Sequence, residues 1–265
     1  MPRAVTVTYH VSTTAGAVAL QAAELFTRSV QAAAQARGLA RVAISGGSTP
    51  RAMFQLLADP AQPFATSVPW DRLQLFWVDE RCVPPTHPDS NYRMTRETLL
   101  ARVPLPESQI FRMEGELEPD VAAARYESSL RNAFRLEGAE TPTFDLIFLG
   151  MGDDGHTASL FPHTEGLENI TDLVIANHVP QKDTWRITLT APVLNQGREV
   201  VFLIEGAAKT EVVAQVFQGP WNPETLPSQL IRPSSGRLTL LLDAVAADKL
   251  PEPDKTTATG QLELR

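Results

Sequence analysis

Cysteine is nearly absent: Cys82 is the single one in 265 residues, so no intramolecular disulfide can form and nothing points to an oxidising compartment. No apolar stretch approaches the roughly 20 residues that span a bilayer. The opening residues, Met1 to Tyr9, alternate like a strand and lack the charged head and long apolar body of a signal peptide. A cytoplasmic protein with no membrane partner is the expectation. Positive charge is also short, with 23 Lys and Arg against 31 Asp and Glu and a net charge of −8. That balance argues against nucleic-acid binding, which favours a broad basic surface. It leaves room for an anionic metabolite, which a few focused cations and helix N-termini can hold. His10, His87, His163 and His178 show no metal-ligand spacing and read as surface residues, so neither a metal nor another cofactor is expected. There is no Gly-x-Ser-x-Gly elbow for a serine nucleophile, and Cys82 has no evident histidine partner.

What is present is alternation. Val5 to Tyr9 reads as a strand, and Val18, Ala22, Leu25, Phe26 and Val30 then recur at helical spacing, with Gly38 as a C-terminal stop. Further strands are expected at 41–44, 73–78, 144–149, 173–176, 185–189, 200–204 and 238–242. Helices are expected at 50–57, 92–101, 119–136, 207–217 and 244–250. Strands separated by helices imply βαβ units, hence an α/β fold with a mostly parallel sheet and helices on both faces. No repeat, long linker or composition shift divides the chain, so residues 1–250 read as one domain and 251–265 as a polar, partly ordered tail. No sustained heptad marks an interface, and a monomer is the expectation. Trp70, Trp185 and Trp221 are left open between interface and core.

Four segments could carry chemistry. Ser45-Gly46-Gly47-Ser48-Thr49-Pro50 joins a strand to a helix. Thr49 can cap that helix, Pro50 suits its first turn, and the glycines admit a ligand to the backbone donors, which makes an anion site. Asp79-Glu80-Arg81 ends another apolar strand. Half-buried charges there must be paired or used, and Arg81 can make a two-pronged contact to phosphate or carboxylate. Asn91, in Ser90-Asn91-Tyr92, is suited to cap the next helix. Glu205-Gly206-Ala207-Ala208-Lys209 is again strand, glycine, helix, and places Lys209 in a first turn where the dipole disfavours a cation unless an anion is held between them.

The fourth segment is the most informative. Leu146 to Leu149, a short apolar run typical of a buried parallel strand, stops at Gly150-Met151-Gly152-Asp153-Asp154-Gly155-His156. The glycine spacing formally fits a dinucleotide fingerprint. Two carboxylates would then face a pyrophosphate, Pro162 interrupts any following helix, and Asp172 begins the next strand rather than ending it. The segment instead delivers a histidine, with Asp154 to orient it, to the carboxyl end of the sheet, where ligands bind in such folds.

In this order, these segments resemble the 6-phosphogluconolactonases and, beyond them, the glucosamine-6-phosphate deaminases, which carry a related Asp-Gly-His loop. The likeness runs through Ser45–Pro50, Asp79–Arg81, Ser90–Tyr92, Gly150–Pro162 and Gly206–Lys209, about residues 5 to 250. Two positions favour the lactonases: Phe161 stands five residues after His156, where the deaminases carry a glutamate, and Arg81 stands where they usually carry tyrosine. The resemblance implies a modified Rossmann-like fold and hydrolysis of a phosphosugar lactone with no cofactor. It implies that His156 activates water with Asp154 orienting it, and that Gly46, Gly47, Ser48, Arg81 and Lys209 lie near the 6-phosphate. Thr49, Asp79 and Asn91 join the expected substrate contacts. Arg81 is left between two roles, holding phosphate or stabilising the oxyanion.

Overall fold

The computed structural model describes residues 5–264, so Met1 to Ala4 of the alternating N-terminal stretch lie outside the described residues. In chain order the strands are β1 (Val5–Ser12), β2 (Ala40–Ile44), β3 (Leu73–Trp77), β4 (Asp79–Arg81), β5 (Ile110–Phe111), β6 (Leu146–Leu149), β7 (Val174–Val179), β8 (Thr184–Leu189), β9 (Glu199–Ile204), β10 (Arg237–Asp243) and β11 (Thr259–Leu264). The helices are α1 (Ala15–Arg37), α2 (Ser48–Ala58), α3 (Phe64–Ser67), α4 (Asn91–Thr95), α5 (Pro119–Phe134), α6 (Ala191–Leu194) and α7 (Thr210–Gln218).

Apolar runs without polar alternation can be buried only if both faces of their sheet are covered. They are. Eight strands form one sheet in the order β11-β1-β10-β9-β6-β2-β3-β5, parallel throughout except for antiparallel β11. In β6, Leu146 and Phe148 point into one core with Val18, Phe26 and Val30 of α1 and Met53 and Phe54 of α2. Ile147 and Leu149 point into the other, with Tyr126 and Leu130 of α5 and Val213 and Phe217 of α7. The period-2 alternation of a strand thus serves both layers at once. Each such Leu, Ile or Phe contributes about 1.5–3 kcal/mol on full burial. At the ends of α1, Thr14 accepts a hydrogen bond from Ala17 N, and Gly38 takes φ 78° with its N–H on Ala34 O.

A second, antiparallel sheet, β4-β8-β7, stands beside the carboxyl ends of the first. Trp185 to Leu189 was expected as a strand of the parallel sheet. It lies here instead because β4 leaves β3 after one residue, Val78, and pairs Arg81 with Arg186.

Two further expectations are corrected. The segment from 251 was expected as a partly ordered tail beyond the domain, but residues 259–264 form β11, the edge strand on β1, with Leu262 and Leu264 buried and Glu263 exposed. The two buried leucines cover the β1 edge, and Tyr9 Oη donates to Pro251 O at 2.7 Å. Residues 244–250 form turns rather than a helix, closed by Ala247 N on Asp243 O and Leu250 N on Ala247 O, with the Asp243 carboxylate taking the Ala246 N–H. Of the three tryptophans left open by the sequence, Trp70 is buried, its indole N–H on Ala65 O at 2.9 Å, while Trp185 and Trp221 are exposed. The expected helix at 92–101 is α4 followed by a π-type segment over Arg96–Leu100.

Candidate active site

The carboxyl ends of β2, β3, β6 and β9 open into a cavity of about 330 Å³, closed on one side by the small sheet. Of the residues singled out in the sequence, Gly46, Gly47, Ser48, Thr49, Asp79, Arg81, Asn91, His156 and Lys209 all line it. Asp154 does not reach the cavity and acts on it through His156.

His156 Nδ1 lies 2.5 Å from Asp154 Oδ1, and the same oxygen accepts the His156 backbone N–H at 3.2 Å. Burial raises the Asp154 carboxyl, but the hydrogen bond and charge of His156 outweigh it and bring it down to about 2. A carboxylate that stays ionised there holds the proton on Nδ1 and leaves Nε2 as an acceptor. The loop is closed by Gly152 N on His156 O and by Thr157 Oγ1 on Gly150 O. A Cβ on Gly152 would run into the imidazole and into Asp154, so only glycine lets the backbone pass beneath this pair. From the far side, Ser228 N donates to Gly155 O at 2.8 Å and ties the loop to the 227–230 turn.

The Asp79 and Glu80 carboxylates are both buried and both satisfied. Asp79 Oδ2 accepts Ser159 Oγ at 2.7 Å, and Oδ1 takes Asn91 Nδ2 at 3.3 Å. Glu80 collects the backbone N–H groups of Arg81, Asn91 and Tyr92 and the hydroxyl of Ser90. Burial raises the Glu80 carboxyl, while these N–H bonds pull it back. Asn91 was read as a cap. Ser90 is the cap, its Oγ accepting Arg93 N, and the Asn91 amide bonds Asp79 instead. That amide fills the space beside Gly46, where any Cβ would collide with it.

Thr49 is not the α2 cap either. Gly47 occupies that position with no side-chain bond, so the first-turn N–H groups of Ser48 and Thr49 face the cavity without a cap to take them. Thr49 is two residues past the cap position, and its hydroxyl engages Glu205.

Two cavity residues escaped the sequence reading, and a third stood in one of its segments without a role. Arg186 pairs across from Arg81, and burial and then the Arg81 charge hold its guanidinium below the usual range. Like charges directly opposite destabilise a sheet, so this pairing favours an anion between them. An arginine inside the apolar run Trp185-Arg186-Ile187 was the available signal. Lys182 also lines the cavity with no local pattern to mark it, and Glu205 lines it at the head of the Glu205–Lys209 segment. Arg81 donates to Asp89 O at 2.5 Å, and its buried Nε has no partner. Lys209 pairs with Asp153. Among the described residues no three His, Cys, Asp or Glu side chains gather to hold a metal, and no helix is long and apolar enough to cross a membrane.

An uncapped helix N-terminus, a lysine and two arginines are groups able to accommodate a phosphate-sized anion, and they stand beside a histidine. A family model described as glucosamine-6-phosphate isomerases/6-phosphogluconolactonase matches residues 13–240. A 6-phosphogluconolactonase of Synechocystis sp. is 42% identical over 226 residues, 84% of this chain and 90% of that one. The solved 6-phosphogluconolactonase of Trypanosoma cruzi superposes with a TM-score of 0.79 at 26% identity, covering 91% of this chain and 96% of that one. A monomeric glucosamine-6-phosphate deaminase shares the fold, with a TM-score of 0.75 at 17% identity, over 91% of this chain and 98% of that one.

Proposed function

Because the chain belongs to the family of glucosamine-6-phosphate isomerases and 6-phosphogluconolactonases, we propose that it hydrolyses 6-phosphoglucono-1,5-lactone to 6-phosphogluconate. The observation that carries this reading is the His156–Asp154 pair, 2.5 Å apart, at the mouth of a cavity rich in cationic donors. Water attacks the lactone carbonyl carbon while His156 Nε2 takes its proton. Asp154 fixes the tautomer and stabilises the imidazolium without itself becoming protonated. The carbonyl oxygen gains charge as water adds. When the ring C–O bond breaks, the departing oxygen takes the proton from the imidazolium, and the product leaves as a hydroxy acid. Base catalysis of this kind supplies about 10²- to 10⁴-fold.

The first turn of α2 and Lys209 hold the 6-phosphate. Both line the cavity, and Glu205, just after β9, meets Thr49 of that turn. Arg81 and Arg186 add positive charge that favours an anionic ligand and a developing oxyanion alike. A deaminase would need a proton donor where Phe161 stands, and a phenyl ring has none to give.

The test is hydrolysis of freshly prepared lactone, with spontaneous opening subtracted. His156→Ala is expected to lower kcat by about 10²- to 10⁴-fold, and Lys209→Ala mainly to raise KM. Absence of turnover by the wild type would sink the activity. Turnover that survives in His156→Ala would keep the activity and remove the base.

A further inference from the structure

Glu205 is the cavity-lining carboxyl group that the reaction leaves unused. Asp79 is satisfied by Ser159 and Asn91, but Glu205 Oε1 is buried with no hydrogen-bond partner. An acceptor or donor left so on a cavity wall is completed by a ligand atom. The side chain is held by Thr49 in the first turn of α2 and stands four residues before Lys209. It lines the cavity together with the two groups to which the phosphate has been assigned, and the inference rests on that assignment.

An ionised carboxylate at this point repels a phosphate dianion. A carboxylic acid does the opposite: its O–H donates to a phosphate oxygen in a charge-assisted hydrogen bond. The surroundings favour the neutral form. Burial raises the Glu205 carboxyl, and the Asp243 charge at the end of β10 adds to this, against the Thr49 hydrogen bond. The Asp243 carboxylate accepts the Gly206 and Ala246 N–H groups. The other charges about the cavity are Lys209, engaged by Asp153, the His156–Asp154 pair after β6, and Arg81, Arg186 and Lys182 of the small-sheet side. The first turn of α2 brings no acid.

We propose that Glu205 binds the substrate phosphate as a neutral acid, so that capture of the phosphate is coupled to uptake of one solvent proton by the enzyme. The bond that forms is Glu205 O–H to phosphate oxygen, and the proton comes from solvent. The device makes the enzyme select for a phosphorylated ligand and release it more readily as pH rises.

The experiment is calorimetric titration with 6-phosphogluconate, the stable product, in buffers of different ionisation enthalpy, for wild type and Glu205→Gln. At about pH 8 the ligand phosphate is already a dianion, its second pKa being about 6. Wild type is expected to take up as much as about one proton more per ligand than the variant, whose amide still donates but cannot titrate. The ratio of wild-type to variant Kd should rise by up to about tenfold per pH unit. Equal proton uptake by the two proteins overturns the inference and leaves the lactonase reading standing. Weaker binding by Glu205→Gln with no proton linkage also overturns it, by making Glu205 an ionised acceptor for a sugar hydroxyl. No binding of 6-phosphogluconate to wild type overturns both readings together. If the variant does not fold, wild type alone decides, and zero net uptake refutes the coupling.

Discussion

The imidazole of His156 stacks on the ring of Phe161, with centroids 4.0 Å apart and planes at 21°. Asp154 holds the same imidazole by its edge through Nδ1. A ring gripped on one face and one edge has little freedom left, and its remaining nitrogen is aimed. Phe161 is buried, and Lys182 Nζ lies 5.4 Å from its centroid, so a cation, a phenyl ring and an imidazole stand in sequence along the cavity wall.

Phe161 is a positioning residue on this geometry. Phe161→Leu keeps an apolar side chain but loses the flat face, whose stacking is worth about 0.5–1.5 kcal/mol. We expect kcat to fall about 3- to 10-fold with KM little changed, and Phe161→Tyr to restore most of it. Steady-state kinetics on the three proteins decides. A rise in KM alone would show that the ring touches substrate rather than the base.

Arg186 faces Arg81 across two antiparallel strands, and both line the cavity. Hydrogen bonds to a charged partner contribute about 1.5–3 kcal/mol, so Arg186→Ala should lower kcat/KM by about 10- to 150-fold. Arg186→Lys should recover only part, since an ammonium lacks the planar fork. The same Arg186→Ala variant should be no less stable than wild type, because it relieves a like-charge pair. A clear fall in Tm would contradict that account.

Glu80 organises the loop that carries Arg81 and Asn91. Its carboxylate is 2% exposed and accepts four hydrogen bonds, from three backbone N–H groups and Ser90. Glu80→Gln turns an amide NH₂ toward those donors and leaves at least one unpaired. A loss of about 2–4 kcal/mol in denaturant unfolding is expected. An unchanged midpoint would mean that the loop is held by something else.

The C-terminal strand is a stability element. Removing residues 252–265 takes away the pairing of β11 with β1 and the burial of Leu262 and Leu264. Each leucine contributes about 2–4 kcal/mol by truncation precedent, so thermal unfolding should occur at distinctly lower temperature. Since β11 and β6 are separated by three strands of the sheet, the folded fraction should keep its activity. An unchanged Tm would return this segment to the status of a tail.

The parallel core was legible because its central strands carry apolar runs, most completely Leu146 to Leu149, and β2, β6 and β9 are each followed within two residues by glycine. Those are local signals that no distant contact has to complete. The motif residues on the strand ends were legible for the same reason: Gly47, Asp79, His156 and Lys209 each sit where a strand stops, and a parallel sheet brings its carboxyl ends together. Tertiary structure alone decided what depends on a partner far along the chain. Leu262 and Leu264 are too short a pattern to read as a strand until β1 presents an open edge to them. Asn91 reads as a cap until Asp79 takes its amide, and Thr49 does so until Glu205 takes its hydroxyl. Arg186 joins Arg81 only because β4 turns away from the parallel sheet to pair with β8. Periodicity records which face of an element is apolar, whereas a polar side chain's role is set by whichever group the fold carries to within a hydrogen bond of it.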